Sequence, residues 1–560
     1  MAIARWRFYS TGVTLFAFIA VLFWHVASLQ VIPGEDKGFE FLQGQGEART
    51  VRTETISAYR GVITDRHGEP LAVSTPVVSI WANPKILLGA PQQWPQLTKS
   101  LKISEKQLSA KLARYQSKEF VYLERHLPPQ EAERVMALNV PGVYSQREFR
   151  RYYPAAEVTS HIVGFTDIDD RGQEGMELAY DQWLTGAAGA KEVVKDLKGR
   201  IVKEAELLHA ARPGKDLTLS IDLRLQYLAY RELKAAVKKH RAKAGSIVVL
   251  DTATGEVLAM ANQPAYNPND RSQMDNSALR NRAIVDQFEP GSTMKPVTVM
   301  AALESGRYTP HTLIDTNPGY IQIGRKTLPD PINYGVIDVT RIITKSSQVG
   351  ISKIALDIEP DAIRGMYFRL GLGQSTGSGF PGESVGVLPN HRRWRPIERA
   401  NFAFGYGLSL TALQLAQAYS VIASRGEKRP ISLVKLDAAP AAERVVSAKI
   451  TAQTVAMLKT VVGPDGTAKR AGLEEYSVAG KTGTARKVGR NGYDDERHLA
   501  LFAGLAPADK PRIVAVVTID EPATDLYSGG TVAAPLFSRV AAGTLRLLQV
   551  PPKPTEDTPT

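Results

Sequence analysis

The nineteen residues from Thr11 to Leu29, TGVTLFAFIAVLFWHVASL, include no lysine, arginine, aspartate or glutamate. Coiled as a helix they span about 28 Å at 1.5 Å per residue, roughly the hydrocarbon thickness of a bilayer. The stretch therefore reads as a single membrane-crossing helix, and the folded domains must be built from the residues beyond it. A cleaved secretory signal is the competing reading, but no A-x-A cleavage site comes after the run, which is also long for one. Arg5 and Arg7 precede the span, and the tail before it is short. That predicts residues 1–10 on the cytoplasmic side, an anchor over 11–30 and everything after Gln30 outside. His25 is a polar blemish near the outer end, tolerable close to the interface. A large folded portion outside the cell interior argues for catalysis or binding in a space where nucleotide is scarce.

This bears on Gly480-Lys481-Thr482, the letters that close a phosphate-binding loop. Such a loop needs G-x-x-x-x-G-K-[S/T], with glycines wrapping backbone N–H groups around phosphates. The position of the first glycine holds Glu475, whose carboxylate would repel phosphate, so Lys481 serves another chemistry. The net charge is +12, from 69 basic and 57 acidic residues, and suits work beside anionic lipid or an anionic polymer. No basic run is interleaved with aromatics, so no nucleic-acid partner is expected. The absence of cysteine excludes disulfides and thiolate metal sites. The nine histidines are scattered without metal-ligand spacing, so neither a metal nor a cofactor is expected.

From Val31 to about Lys215 the sequence is polar and irregular, which reads as a non-catalytic spacer or docking module over 31–215. Within it, LKISEKQLSAKLARY places Leu108, Leu112 and Tyr115 at helical spacing after an N-cap at Ser104. GVITDRHGEPLAVS reads as strand, turn and strand, with His67-Gly68 supplying the turn. The character then changes. Leu217, Leu219 and Ile221 alternate like a strand, and Leu225 to Val237 follow helical spacing. GSIVVLDTATGEVLAMAN predicts two strands joined at Thr254-Gly255. SVAGKTGTARKV, LALFAGLAP and RIVAVVTID predict three more, the first two separated by a polar loop containing Asn491-Gly492. Between the two strand groups lies a helix-rich stretch, including LTALQLAQAYSVIASRG with Gly426 as its stop. Strands from both ends enclosing central helices predict an α+β layering over 216–550, an antiparallel sheet packed by helices. The Pro-rich, charged end, residues 551–560, is expected to be disordered.

A candidate nucleophile stands in FEPGSTMKPV. Ser292 follows Pro290-Gly291 at a helix start, with Lys295 three residues later on the same face. Pro296 fits the first turn, where N–H groups lack intrahelical partners. The helix N-terminus favours negative charge developing on the serine, and a neutral lysine could take its proton. That requires depressing a pKa of about 10.4 by desolvation or a second cation. Alone, a capping serine and a surface lysine would be the commoner explanation of S-x-x-K. Two further features change the balance. Ser346 in ITKSSQVG comes 54 residues after Ser292, and Lys481-Thr482-Gly483-Thr484 begins 135 residues beyond Ser346. In that order, S-x-x-K, S-x-N and K-T-G resemble the signature of serine penicillin-recognising enzymes.

The resemblance extends past these motifs. RGVITDRHGEPLA (60–72), RYYP (151–154), His161, Gly164 and GQEGMELAYDQWLTG (172–186) are similar to the N-terminal boxes of class B penicillin-binding proteins. GSIVVLDTATGEVLAMANQPAYNPN and FGYGLSLTALQLAQAY are similar to segments of their transpeptidase domain. The resemblance covers Arg5 to about Val550 and points to the FtsI-type, septal branch. It implies an elongated N-terminal pedestal and dimerisation module, followed by a penicillin-binding transpeptidase fold with a five-stranded antiparallel sheet flanked by helices. It implies a peptidoglycan D,D-transpeptidase of the bacterial inner membrane, with its catalytic domain in the periplasm. Stem peptides ending in D-Ala-D-Ala, β-lactams, an FtsW-type glycan polymerase and other division proteins are the implied partners. Carried onto this sequence, Ser292 would be the nucleophile, Lys295 its base, Ser346 a proton relay and Lys481 a support for that network. Thr482, Gly483 and Thr484 would line the carboxylate subsite, with the N–H groups of Ser292 and Thr484 as oxyanion hole.

One position departs. The family's second motif ends in asparagine, and this chain has Gln348, one methylene longer, which shifts the amide by about 1 Å in a preorganised substrate-binding site. An elongation-type relative shares all three motifs. A β-lactamase would need a base for a deacylating water, for which no motif is found. A weakly active scaffold or β-lactam sensor has Gln348 as its only sequence hint.

Overall fold

The computed structural model describes residues 5–30, 51–195, 201–272, 275–489 and 492–553. The stretch expected to be the anchor forms one helix, Arg5–Gln30, and its Arg5–Ser28 portion is long and apolar enough to cross a membrane. Its serine and threonine hydroxyls are satisfied within the helix. Ser10 and Thr11 donate to the Arg7 carbonyl, Thr14 to Ser10 and Ser28 to His25, at 2.7–3.0 Å. No water is needed to satisfy them, as a hydrocarbon environment requires.

The chain, this helix included, falls into two compact units that do not divide at one point in the sequence. The first comprises residues 1–60, 74–150 and 185–214, and the second residues 61–73, 151–184 and 215–560. In the first, helix Glu105–Arg114 begins as the sequence predicts. Ser104 Oγ accepts from Gln107 N at 3.2 Å while Gln107 Oε1 accepts from Ser104 N at 2.9 Å. That cap turns Leu108 and Leu112 inward, onto Leu97, Leu101, Val121 and Val135. A three-stranded sheet of Val51–Ile56, Gly189–Lys195 and Ile201–His209 also belongs to this unit.

The second unit is built on five strands: β1 (Ala244–Asp251), β2 (Val257–Gln263), β3 (Ala479–Gly489), β4 (Gly492–Ala506) and β5 (Ile513–Asp520). Their order is β2-β1-β5-β4-β3, antiparallel throughout, so the expected α+β fold is present. Gly255 turns β1 into β2 with φ +78°. β1 is buried at every position, which requires cover on both faces of the sheet. The unit's helices include α1 (Leu223–Lys239), α2 (Lys295–Glu304), α3 (Val339–Lys345), α4 (Gln348–Asp357), α5 (Ala412–Ala423), α6 (Ala448–Val462) and α7 (Ala534–Leu547), of which α1, α5, α6 and α7 pack on the sheet. α1 and α7 pack on each other and on the sheet, while α5 lies against β1, β4 and β5. Every residue of α5 is buried, Gln414, Gln417 and Ser420 included, so it packs on all sides rather than along one face. Gly426 closes the turn after α5 with φ +90°, at the position where the sequence predicts a stop.

Two local expectations change. The alternation at Leu217, Leu219 and Ile221 yields only a two-residue strand, Leu217–Thr218, pairing with Ile63–Thr64. The polar loop expected after β3 is largely strand, because β3 and β4 continue as a two-stranded ribbon to Gly489 and Gly492; Asn491 lies outside the described residues. The last seven residues of the tail expected to be disordered, and the first four of the chain, likewise lie outside them.

Candidate active site

Ser292 sits in a tight 3-10 turn, Gly291–Met294, that runs directly into α2. Pro296 occupies the first turn of α2, where the missing N–H costs nothing. β3 is an edge strand lying against this turn, and the approach leaves little room for a side chain at Gly483. A Cβ there would stand 3.0 Å from Thr293 Cγ2 and 3.1 Å from the Pro290 carbonyl oxygen. Glycine at that position lets β3 lie against the turn that carries Ser292.

The second motif is a break between two helices. Ser346 takes the left-handed conformation, φ 60°, as the residue that ends α3, and Ser347 caps α4 with Oγ accepting from Gly350 N at 2.9 Å. The break turns Ser346 toward α2. Lys295 Nζ donates to Ser346 Oγ at 3.1 Å and also to the Ser346 carbonyl. Among the described residues Ser292 Oγ has no hydrogen-bond partner, so its hydroxyl is free to meet a ligand. Lys481 Nζ donates to the Thr482 carbonyl at 3.1 Å and to Thr482 Oγ1 at 3.3 Å. Thr484 Oγ1 accepts from Gly529 N at 3.0 Å.

Both lysines are 0% exposed, which sets their chemistry. Burial pushes the Lys295 ammonium down to about 7, opposed by the negative charge of Asp330. Burial pushes Lys481 well below the usual lysine range, and the charge of Lys295 pushes it further the same way. Burial and the charge of its neighbour thus both favour the neutral form of Lys481. The arrangement therefore stores a neutral amine within reach of hydroxyl groups, as base catalysis by lysine requires.

No sequence motif marks Asp330. It is buried, and its carboxylate accepts from Ser347 Oγ at 2.5 Å, Val349 N at 3.2 Å and Gln348 N. It thus clamps the start of α4 and holds the second motif in place. Gln348 is anchored through its backbone N–H to Asp330, while its side-chain amide has no partner among the described residues. The amide that departs from the family pattern is therefore available to a ligand. No group of three or more His, Cys, Asp or Glu able to hold a metal occurs among the described residues.

This fold and this set of motifs are matched by known families. Residues 245–542 match the penicillin binding protein transpeptidase domain, and residues 55–219 match the penicillin-binding protein dimerisation domain. The chain belongs to the penicillin-binding proteins, and within them to the class B, FtsI type. It is 42% identical over 552 residues to the peptidoglycan D,D-transpeptidase FtsI of Escherichia coli strain K12, covering 98% of this chain and 92% of that protein. The same identity over 520 residues relates it to the probable peptidoglycan D,D-transpeptidase PbpC of Pseudomonas aeruginosa, covering 93% and 92%. Among solved structures, penicillin binding protein 3 of Mycobacterium tuberculosis complexed with aztreonam is similar with a TM-score of 0.69 at 29% identity, covering 90% of this chain and 98% of that one. The resemblance read from the motifs is borne out.

Proposed function

We propose that the protein is a serine-type peptidoglycan D,D-transpeptidase acting in septal wall synthesis, with Ser292 as nucleophile. The observation that carries the reading is Lys295, fully buried, pushed down to about 7 and bonded to Ser346 Oγ at 3.1 Å. Ser292 Oγ attacks the penultimate D-Ala carbonyl of a stem peptide and its proton passes to neutral Lys295. The N–H groups of Ser292 and Thr484 hold the oxyanion, and Thr482 and Thr484 hold the terminal carboxylate. Ser346 relays a proton to the departing D-Ala amine, with Lys481 supporting the charge, and an ester is left on Ser292. The amine of a second stem peptide then takes the acyl group and forms the crosslink. A β-lactam takes the first half of this path and leaves a slowly hydrolysed adduct.

The apolar helix Arg5–Ser28 and the FtsI relatives fit a single-pass protein of the inner membrane. Arg5 and Arg7 favour a cytoplasmic N-terminus and a periplasmic catalytic domain over 216–550, with residues 31–215 as a non-catalytic pedestal apart from 61–73 and 151–184, which share the second unit's core. The FtsI relatives favour a septal setting, with an FtsW-type polymerase supplying glycan strands. The test is incubation with a fluorescent penicillin and then intact mass over time. One stable adduct is expected on the wild type and none on Ser292→Ala. Rapid turnover of the drug would reassign the protein as a hydrolase, and failure to crosslink lipid-linked glycan beside a polymerase would leave a sensor.

Asp330 provides a second check. Asp330→Asn removes the anion that opposes burial at Lys295, so the Lys295 pKa falls and the rise of acylation with pH moves to lower pH. The weakened clamp on α4 is expected to cost about 1–2 kcal/mol of stability. Adduct formation measured from pH 5.5 to 9, together with the unfolding temperature, reads both; an unmoved profile would confine Asp330 to capping.

A further inference from the structure

The loop between α6 and the short turn Lys469–Ala471 carries a hydroxyl that none of the three motifs contains. Thr467 Oγ1 lies 3.0 Å from Thr482 Oγ1. The loop is fixed from both sides. Lys345, the neighbour of Ser346, donates through Nζ to the Asp465 carbonyl at 2.8 Å, and Ala468 N returns to the Val461 carbonyl at 2.9 Å. On the other side the start of the Gly529–Ala533 segment approaches so closely that a Cβ at Gly530 would stand 2.4 Å from the Thr467 carbonyl oxygen. The loop therefore ties the chain beside Ser346 to the outer edge of β3.

A threonine hydroxyl has one proton and two acceptor lone pairs. Lys481 Nζ already donates to Thr482 Oγ1 at 3.3 Å. If Thr467 donates as well, both acceptor positions are filled and Thr482 can act only as a donor. If the bond ran the other way, the Thr482 proton would point at Thr467 and none would remain for a ligand. Thr467 is exposed, so its own oxygen can accept from water and it gives up nothing by donating.

We propose that Thr467 is a positioning residue for the carboxylate end of the ligand: it donates to Thr482 Oγ1 and so directs the Thr482 proton onto the anion. A hydroxyl held as a donor favours a carboxylate over its ester, which offers no negative charge. The inference rests on the acyl-enzyme reading above and assigns the carboxylate preference of that site to a residue outside its motifs.

The test uses full-length protein in detergent micelles and measures acylation of Ser292 by benzylpenicillin and by its methyl ester. Thr467→Val is expected to lower the second-order rate with benzylpenicillin about 3- to 10-fold, the size of losing one supporting hydrogen bond. The loss should fall on the concentration of half-saturation rather than on the limiting rate. The slower reaction with the ester should be unchanged, and Thr467→Ser should restore the carboxylate rate to within about twofold. Equal losses for acid and ester, or failure of serine to rescue, would reduce Thr467 to shaping the loop. A wild-type rate in Thr467→Val would overturn the proposal while leaving the nucleophile assignment intact. A wild type that forms no adduct would count against the acyl-enzyme reading and remove both.

Discussion

Replacing Lys295 with methionine is expected to slow acylation of Ser292 by roughly 10²- to 10⁴-fold, the range of a lost general base. Methionine matches the lysine stem in length, so the 0% exposed site stays filled and the loss can be read as chemistry. The pH dependence gives the sharper test. Burial pushes Lys295 down to about 7, so the neutral amine that can take the Ser292 proton predominates above that value. Wild-type acylation should therefore climb through about pH 7 and level off, and the residual rate of the methionine variant should lack that step. Lys295→Arg should be as slow as methionine although it keeps the charge, because arginine does not deprotonate in this range. A wild-type profile flat from pH 5.5 to 9, or an arginine variant near wild-type rate, would remove Lys295 from the role of base.

The parts of this site legible in the sequence are those whose chemistry is local. Ser292 and Lys295 are three residues apart, and a helix start brings them together whatever the rest of the chain does. Lys481 to Thr484 lie on one strand, where four consecutive residues have a fixed geometry. Asp330 is illegible because its role exists only after folding: it caps a helix that begins 18 residues later in the chain. Thr467 meets Thr482 across 15 residues, through a loop that none of the motifs marks. The ribbon that extends β3 and β4 reads as a loop because an exposed two-stranded ribbon needs no apolar face. Its polar side chains pair instead, with Lys487 between Asp520 and Glu521 and Arg497 on Asp494.

The division into units is hidden for a similar reason. Residues 61–73 and 151–184 are polar enough to read as part of one N-terminal module, yet they supply Ile63, Leu71, Ile162, Val163 and Met176 to the core of the catalytic unit. Within that unit Gly61 N donates to the Leu184 carbonyl at 2.8 Å, and Arg151 pairs with Glu177 in the interior at 2.6 Å. Buried ion pairs join segments distant in sequence, and neither member signals its partner in the string of letters.

Lys481→Met should separate stability from activity. In the folded protein Lys481 is 0% exposed, with no carboxylate among its hydrogen-bond partners, and its pKa lies well below the usual lysine range. The unfolded chain, where the lysine titrates near 10.4, binds more protons across the window between those two values. Stability therefore rises with pH through that window, and at neutral pH the buried amine is a net cost. Methionine removes the cost. By comparison with other buried charges replaced by apolar groups, the gain is about 1–3 kcal/mol, less about 1 kcal/mol for the hydrogen bonds to Thr482. The unfolding temperature of the variant should exceed that of the wild type by a few degrees at pH 7, and the gap should narrow toward pH 9. Acylation should fall by roughly 10²- to 10³-fold, because Thr482 loses a donor and the proton network loses a member. Calorimetry at both pH values and adduct formation on the same samples decide the matter. A variant less stable than the wild type at pH 7 would mean that Lys481 is held in the core for packing rather than at a cost in stability for catalysis.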